Sequence, residues 1–361
     1  MTPTIEDAPI GEHRAMMLGS DRIALCGVTV TRVARLSVRL VAAILVAAVL
    51  ASAPAQAKLV VVDVDTGKRT QISTAAPSEG WASLRWAADG SALIGVANDE
   101  LDLSIRRYPV TGGRAKVLRT LPDAFDAVLN RDGTKVAALY DTGVGGSGGV
   151  LVRDVATGRT SAQLPQSAEG DELYENGLNL TWAPDSSRVA YHAHERRGET
   201  VRIADARSGR VVRRLDARTG IYETVFSPDG DRLLYTGGTY GKLTVIDIAS
   251  GASRRIASTA LAPAWAPAGN RIAFSAEKSV AVTGEDQQVA STTPIASTAD
   301  TLLWSPDGRR LALIMHDEGG DYHNATLAVL VPGAKPRVLL AGTGIWTLTW
   351  SADGSRLAYS A

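Results

Sequence analysis

Trp304-Ser305-Pro306-Asp307-Gly308-Arg309-Arg310-Leu311-Ala312 holds the key to the architecture. Pro306 presets φ for the first central position of a tight turn. Asp307 suits the second, and Gly308 accepts the left-handed conformation that follows. A basic residue and a short apolar strand come next. The phrase recurs as Trp86-Ala-Ala-Asp-Gly90, Leu129-Asn-Arg-Asp-Gly133, Trp182-Ala-Pro-Asp-Ser186, Phe226-Ser-Pro-Asp-Gly230, Trp265-Ala-Pro-Ala-Gly269 and Trp350-Ser-Ala-Asp-Gly354. The intervals from copy to copy are 43, 53, 44, 39, 39 and 46 residues. Four short strands and their turns need about 40–45 residues, the size of one propeller blade.

Two places after the glycine position stands a basic residue in six copies: Lys135, Arg188, Arg232, Arg271, Arg310 and Arg356; the first copy has Ala92. A second phrase, Asp154-Val-Ala-Thr-Gly158, Asp205-Ala-Arg-Ser-Gly209 and Asp247-Ile-Ala-Ser-Gly251, reads as the turn between the third and fourth strands of a blade. The chain ends at Ala361, after only the first hairpin of a seventh unit. Leu59 to Asp63, the turn Asp63-Val-Asp65-Thr-Gly67 and Lys68 to Ser73 supply its other two strands. The reading is therefore all-β: a seven-bladed β-propeller over residues 58–361. Its N-terminal strands pair with the C-terminal hairpin in one blade, which removes free sheet edges.

The repeated Trp-Ser-Pro-Asp-Gly-x-Arg-Leu-Ala pattern resembles the TolB-type, WD-like propeller repeat of bacterial exported proteins. The resemblance covers essentially the whole of residues 58–361. It implies a fold and leaves function open, because propellers host binding, scaffolding and catalysis alike. TolB carries an extra α/β domain before its propeller and prolyl-oligopeptidase propellers are followed by a hydrolase domain. Neither is expected here, so neither role is carried over.

The first 57 residues differ in kind. Arg32, Arg35 and Arg39 precede an apolar run from Leu40 to Ala51, and Ala55-Gln56-Ala57 has the small-x-small form of a cleavage site. Those are the three parts of a secretory signal, with the cut expected between Ala57 and Lys58. The rival is an uncleaved anchor over residues 40–57, whose length just suffices to span a bilayer. Either way the folded part is expected outside the cytoplasm, as an extracellular, periplasmic or cell-envelope protein. The membrane becomes a partner only if the segment is retained.

Lys plus Arg and Asp plus Glu both number 38, so the net charge is zero and no basic face for nucleic acid is expected. The single cysteine, Cys26, precludes an internal disulfide and a Cys-rich zinc site. Gly145-Gly-Ser147-Gly-Gly149 matches a nucleophile elbow but lacks the helix that must follow, so it reads as a loop. Asp63-Val-Asp65-Thr-Gly67 lacks the later ligands of a calcium loop and reads as a turn. No catalytic residue, cofactor or metal site is assigned.

Residues unique to one copy are better functional candidates than those a blade repeats. His192 and His194 share one strand face, followed by Glu195 and Arg197. Glu169, Asp171, Glu172 and Tyr174 lie in the longest interval, and His316, Asp317, Glu318, Asp321, Tyr322 and His323 form another extended loop. In a propeller these second-to-third-strand and inter-blade loops meet on one rim, which Tyr222 and Tyr240 also join. That rim is the expected binding surface. The leading expectation is a non-catalytic exported scaffold that binds a protein, peptide or envelope component. The alternatives are a secreted metal-dependent hydrolase or lactonase using the central channel, and a membrane-tethered sensor. The inward positions of the first strands, such as Leu84, Leu180, Leu302 and Leu348, read as apolar, which weighs against channel chemistry.

Overall fold

The computed structural model describes residues 58–73, 79–99, 102–140, 149–165, 180–195, 198–216, 221–238, 241–268, 271–286, 288–316 and 324–361. Residues 1–57, expected to hold a signal segment, the glycine-rich loop at 141–148 and most of the two long rim loops lie outside these residues. Among the described residues no helix is long and apolar enough to cross a membrane.

Among the described residues, twenty-eight strands form seven four-stranded antiparallel sheets. Blade 1 is β3 (Glu79–Trp86), β4 (Ala92–Asp99), β5 (Asp102–Pro109) and β6 (Lys116–Leu121). Blades 2 to 6 follow in fours, from β7 (Ala124–Leu129), β11 (Thr181–Trp182), β15 (Ile221–Phe226), β19 (Leu261–Trp265) and β23 (Ala299–Trp304). Blade 7 has the order β2 (Arg69–Ser73), β1 (Leu59–Asp63), β28 (Arg356–Ser360), β27 (Thr347–Trp350). Val61 faces Ala358 in the register that closes the ring, as expected from the sequence.

Burial follows position in the blade. The middle strands are covered on both faces and read as continuous apolar runs, as in β1 (Leu-Val-Val-Val-Asp) and β24 (Leu311–His316). The outermost strands are largely exposed, as in β22 (Val289–Pro294). The apolar core is accordingly divided. Each of seven clusters is sandwiched between two neighbouring blades, such as Leu103, Ile105 and Leu121 of blade 1 against Ala127, Leu129 and Val136 of blade 2.

The repeated residues tie these layers together. Gly90, Gly133, Gly230, Gly308 and Gly354 all have φ between 66° and 76°, and Ser186 adopts 61° in the copy without glycine. The Trp182 indole donates to the Val128 carbonyl of the preceding blade at 2.8 Å, and Trp350 does the same to Leu303 at 2.9 Å. The basic residue after the turn stacks forward. Arg232 lies over Trp265, Arg271 over Trp304, Arg310 over Trp350 and Arg356 over Trp86. Ala92 breaks the basic pattern in the blade whose successor offers Leu129 in place of an aromatic ring. The Asp63 turn is structural: its Oδ1 accepts from both the amide and the hydroxyl of Thr66 at 2.7 Å.

Candidate functional site

The meander within each blade puts first-to-second and third-to-fourth strand turns at one end of the ring. The second-to-third and inter-blade loops share the other end, which is the loop-bearing mouth of the channel. Of the rim residues singled out from sequence, only His192 and His316 have described side chains. Glu169, Asp171, Glu172, Tyr174, Arg197, Asp317, Glu318, Asp321, Tyr322 and His323 lie outside the described residues, as do Tyr240 and the side chains of His194, Glu195 and Tyr222. His192 is 9% exposed on β12 (Arg188–Glu195), paired with Val201. Among the described residues no group of three or more His, Cys, Asp or Glu side chains is placed to hold a metal.

His316 ends β24 at the mouth, where its Nδ1 contacts the Asp300 carboxylate on the innermost strand of the same blade. Asp300 was not singled out from sequence, and it has company. The innermost strands also carry Arg85, Asp126 and Glu223. This changes the expected picture of an apolar lining. Leu84, Leu180, Leu302 and Leu348 instead pack into the clusters between blades. Arg85, Asp126 and Glu223 sit in the opposite phase, which keeps partial exposure, while Asp300 lies at the bulge between Ala299 and Thr301. β-bulges between Ile221 and Glu223 and between Leu261 and Ala264 shift the phase near the mouth.

Glu223 is strongly perturbed by its surroundings. Its Oε2 accepts a 3.0 Å hydrogen bond from the Ala262 amide in the next blade. Ala262 reaches it from the left-handed region, at φ 49°, where a non-glycine residue is uncommon. Burial pushes the Glu223 carboxyl up to about 7; the Ala262 bond opposes this and the Asp300 charge adds to it. Burial likewise raises Asp126 to about 6, against the Ala127 amide that its carboxylate accepts at 2.7 Å. Arg85 donates to the Leu84 carbonyl at 2.8 Å, and burial lowers its pKa.

Apolar surface flanks the Asp300–His316 pair. Leu261, Asp300 and Trp346 occupy the same position, four before the repeat tryptophan, in blades 5, 6 and 7. Leu261 is 47% and Trp346 46% exposed, and the Asp300 side chain 44%. Large apolar side chains this open, beside an acid, are what a binding surface offers. The sequence carried one usable signal for two of them: Asp300 and Trp346 each occur at this position in one copy of the repeat only.

No family model matches the chain, and no curated protein matches it. Among solved structures, a TolB-type protein from Agrobacterium tumefaciens is similar at a TM-score of 0.52 and 17% identity, over 84% of this chain and 97% of that one. Hydrazine synthase from Kuenenia stuttgartiensis is similar at 0.55 and 14% identity, over 76% of this chain and 90% of that one. A chain of the mitotic checkpoint complex gives 0.52 and 19%, over 71% and 81%. At such identities the likeness is one of fold, a propeller shared with TolB and with WD40-like proteins.

Proposed function

We propose that this chain is an exported, non-catalytic propeller that binds a protein, peptide or envelope component at the loop-bearing mouth of its channel. The observation that carries this reading is that exposed Leu261, Asp300 and Trp346 hold equivalent positions in three consecutive blades, the first two on inner strands and Trp346 just before one. A rigid ring presents them, so little ordering cost falls on the scaffold when a partner docks. Export rests on the basic cluster, apolar run and Ala55-Gln56-Ala57 of the leader. The test is capture from a cell-envelope fraction by the wild type and by a Leu261→Ser/Trp346→Ala variant. A specific partner lost in the variant supports the reading; equal capture by both removes it.

Glu223 favours a second reading, a secreted hydrolase. A carboxyl with a pKa near 7 is suited to general acid or base work at neutral pH. Turnover of ester, lactone or glycoside substrates, with and without added divalent metal, tests it. Activity lost in Glu223→Gln supports catalysis; no turnover of any of them removes this reading.

A further inference from the structure

A second recognition surface lies on the outer wall, away from the mouth, at the boundary between blades 7 and 1. Three other boundaries share one outer clasp. Arg213 of blade 3 donates through Nε to the Ile248 carbonyl, at 2.6 Å, and through Nη2 to Ala249 in the next blade. Arg119 of blade 1 meets the equivalent Val155 and Ala156 carbonyls of blade 2 at 3.3 and 2.6 Å. Arg337 of blade 6 reaches Val64 of blade 7 at 2.7 Å. Each arginine closes the outer seam by holding the next blade's third-to-fourth strand turn.

At the boundary between blades 7 and 1 no arginine takes this place. Eight residues after the turn aspartate, where Arg213 stands relative to Asp205, Gln71 stands relative to Asp63. The facing turn in blade 1 departs as well. Pro109 takes the place of the aspartate that caps the turns at Asp63, Asp154, Asp205 and Asp247, and Gly112-Gly113-Arg114 extends the loop. A groove of about 650 Å³ opens where both departures meet. That is within the range of small-molecule sites.

The lining has one sign of charge. Arg106 and Arg114 contribute guanidinium groups, and none of the other lining residues is acidic. Arg106 is tethered: its Nε donates 2.9 Å to the hydroxyl of Ser104, itself 2% exposed. Gly112 and Gly113 have φ of 85° and 115°, and a Cβ on either would meet nothing within 4 Å. Bare backbone therefore faces open space on the groove floor. Gln71 and Ser73 add neutral polar side chains on the opposite wall. Two guanidiniums, one of them tethered, with accessible backbone suit phosphate or carboxylate oxygens.

We infer that the groove between blades 7 and 1 binds a small polyanion, with Arg106 and Arg114 each meeting one anionic group. This surface is separate from the channel mouth and does not depend on the partner proposed there.

The test is calorimetric titration of the purified protein with pyrophosphate and, separately, citrate. Sodium chloride of matched ionic strength is the control. Saturable binding of either probe, weakened tenfold or more by Arg106→Gln, by Arg114→Gln and by Gln71→Glu, is expected; tenfold corresponds to about 1.4 kcal/mol. Gln71 is exposed on an outermost strand, so its near-isosteric change leaves the melting temperature where it was. Preference for pyrophosphate marks a phosphate-type ligand and preference for citrate a carboxylate-type one; either supports the site. No saturable binding of either probe, or binding unaltered by the three variants, overturns it. Capture of a partner at the mouth should be unchanged in the groove variants, so the two surfaces stand or fall separately.

Discussion

The guanidinium carbon of Arg356 lies 4.6 Å from the centroid of the Trp86 ring, across the boundary between the blade that closes the ring and the first blade. The same Trp86 indole donates back to the Thr349 carbonyl at 3.4 Å. One aromatic side chain thus fastens two blades from both sides. Stacking of this kind contributes about 0.5–2 kcal/mol, depending on desolvation. Arg356→Ala is expected to lower the denaturant midpoint. A double-mutant cycle with Trp86→Leu should return a coupling of about 1 kcal/mol. A coupling near zero would mean that the two side chains stabilise the ring independently.

Two left-handed glycines, Gly90 in a first-to-second strand turn and Gly209 in a third-to-fourth strand turn, should differ in their tolerance of a methyl group. At Gly90, φ 67°, an added Cβ meets nothing within 4 Å, so Gly90→Ala should cost about 1 kcal/mol for the backbone conformation alone. At Gly209, φ 72°, the Cβ would stand 2.5 Å from the backbone oxygen of Gln163 in the preceding blade. Gly209→Ala must then open the boundary between blades 2 and 3. Its loss, read from urea unfolding, should clearly exceed that of Gly90→Ala.

Glu223 gives the fold a pH dependence with a definite sign. Its folded pKa of about 7 stands above the ordinary 4.5. The group favours folding most below the ordinary value, and that contribution is lost as pH rises through 7. Replacing it by glutamine, which can still accept from Ala262, should stabilise the protein at pH 8 by about 3 kcal/mol and do little at pH 4. Equal effects at both pH values would show that the carboxyl ionises without penalty.

The repeat turns work in the opposite direction. Ser351 and Ser355 hold the Asp353 carboxyl down at about 2, the Ser351 hydroxyl bond counting most. Its contribution is therefore present above the ordinary value of 3.8 and is lost as pH falls through 2. Asp353→Asn should reduce stability at pH 7 and make no difference near pH 2. The melting temperature at the two pH values checks this.

The ring was legible because its instructions are local and repeated. A proline, an aspartate and a glycine in fixed order specify a turn without reference to the rest of the chain, and seven copies leave one architecture. Even the missing basic residue at Ala92 has its counterpart in the missing ring at Leu129. The phase of the channel strands is not legible in the same way: the repeat pattern points Leu84, Leu180, Leu302 and Leu348 inward, yet they fill the seams between blades. Which face of an inner strand meets the channel depends on twist and on bulges such as that before Glu223, and neither has a sequence signature at that point. Asp300 and His316 lie 16 positions apart in sequence and meet only through strand pairing. The groove needed two departures from the repeat, at Gln71 and Pro109, to be seen facing each other.

The pairing of β1 with β28 also sets a timetable. Val60, Val61 and Val62 are among the first residues of the ring to be synthesised, and their partners Tyr359, Ala358 and Leu357 are among the last. Throughout translation β1 lacks its central neighbour, and the seam that holds Arg356 against Trp86 cannot form. The ring closes only once β28 has been made and can pair with β1. A product truncated before Arg356 leaves β1 without that partner and an open edge of the kind that proteases and aggregation exploit. Ring closure is thus a late folding event that depends on residues nearly 300 positions apart.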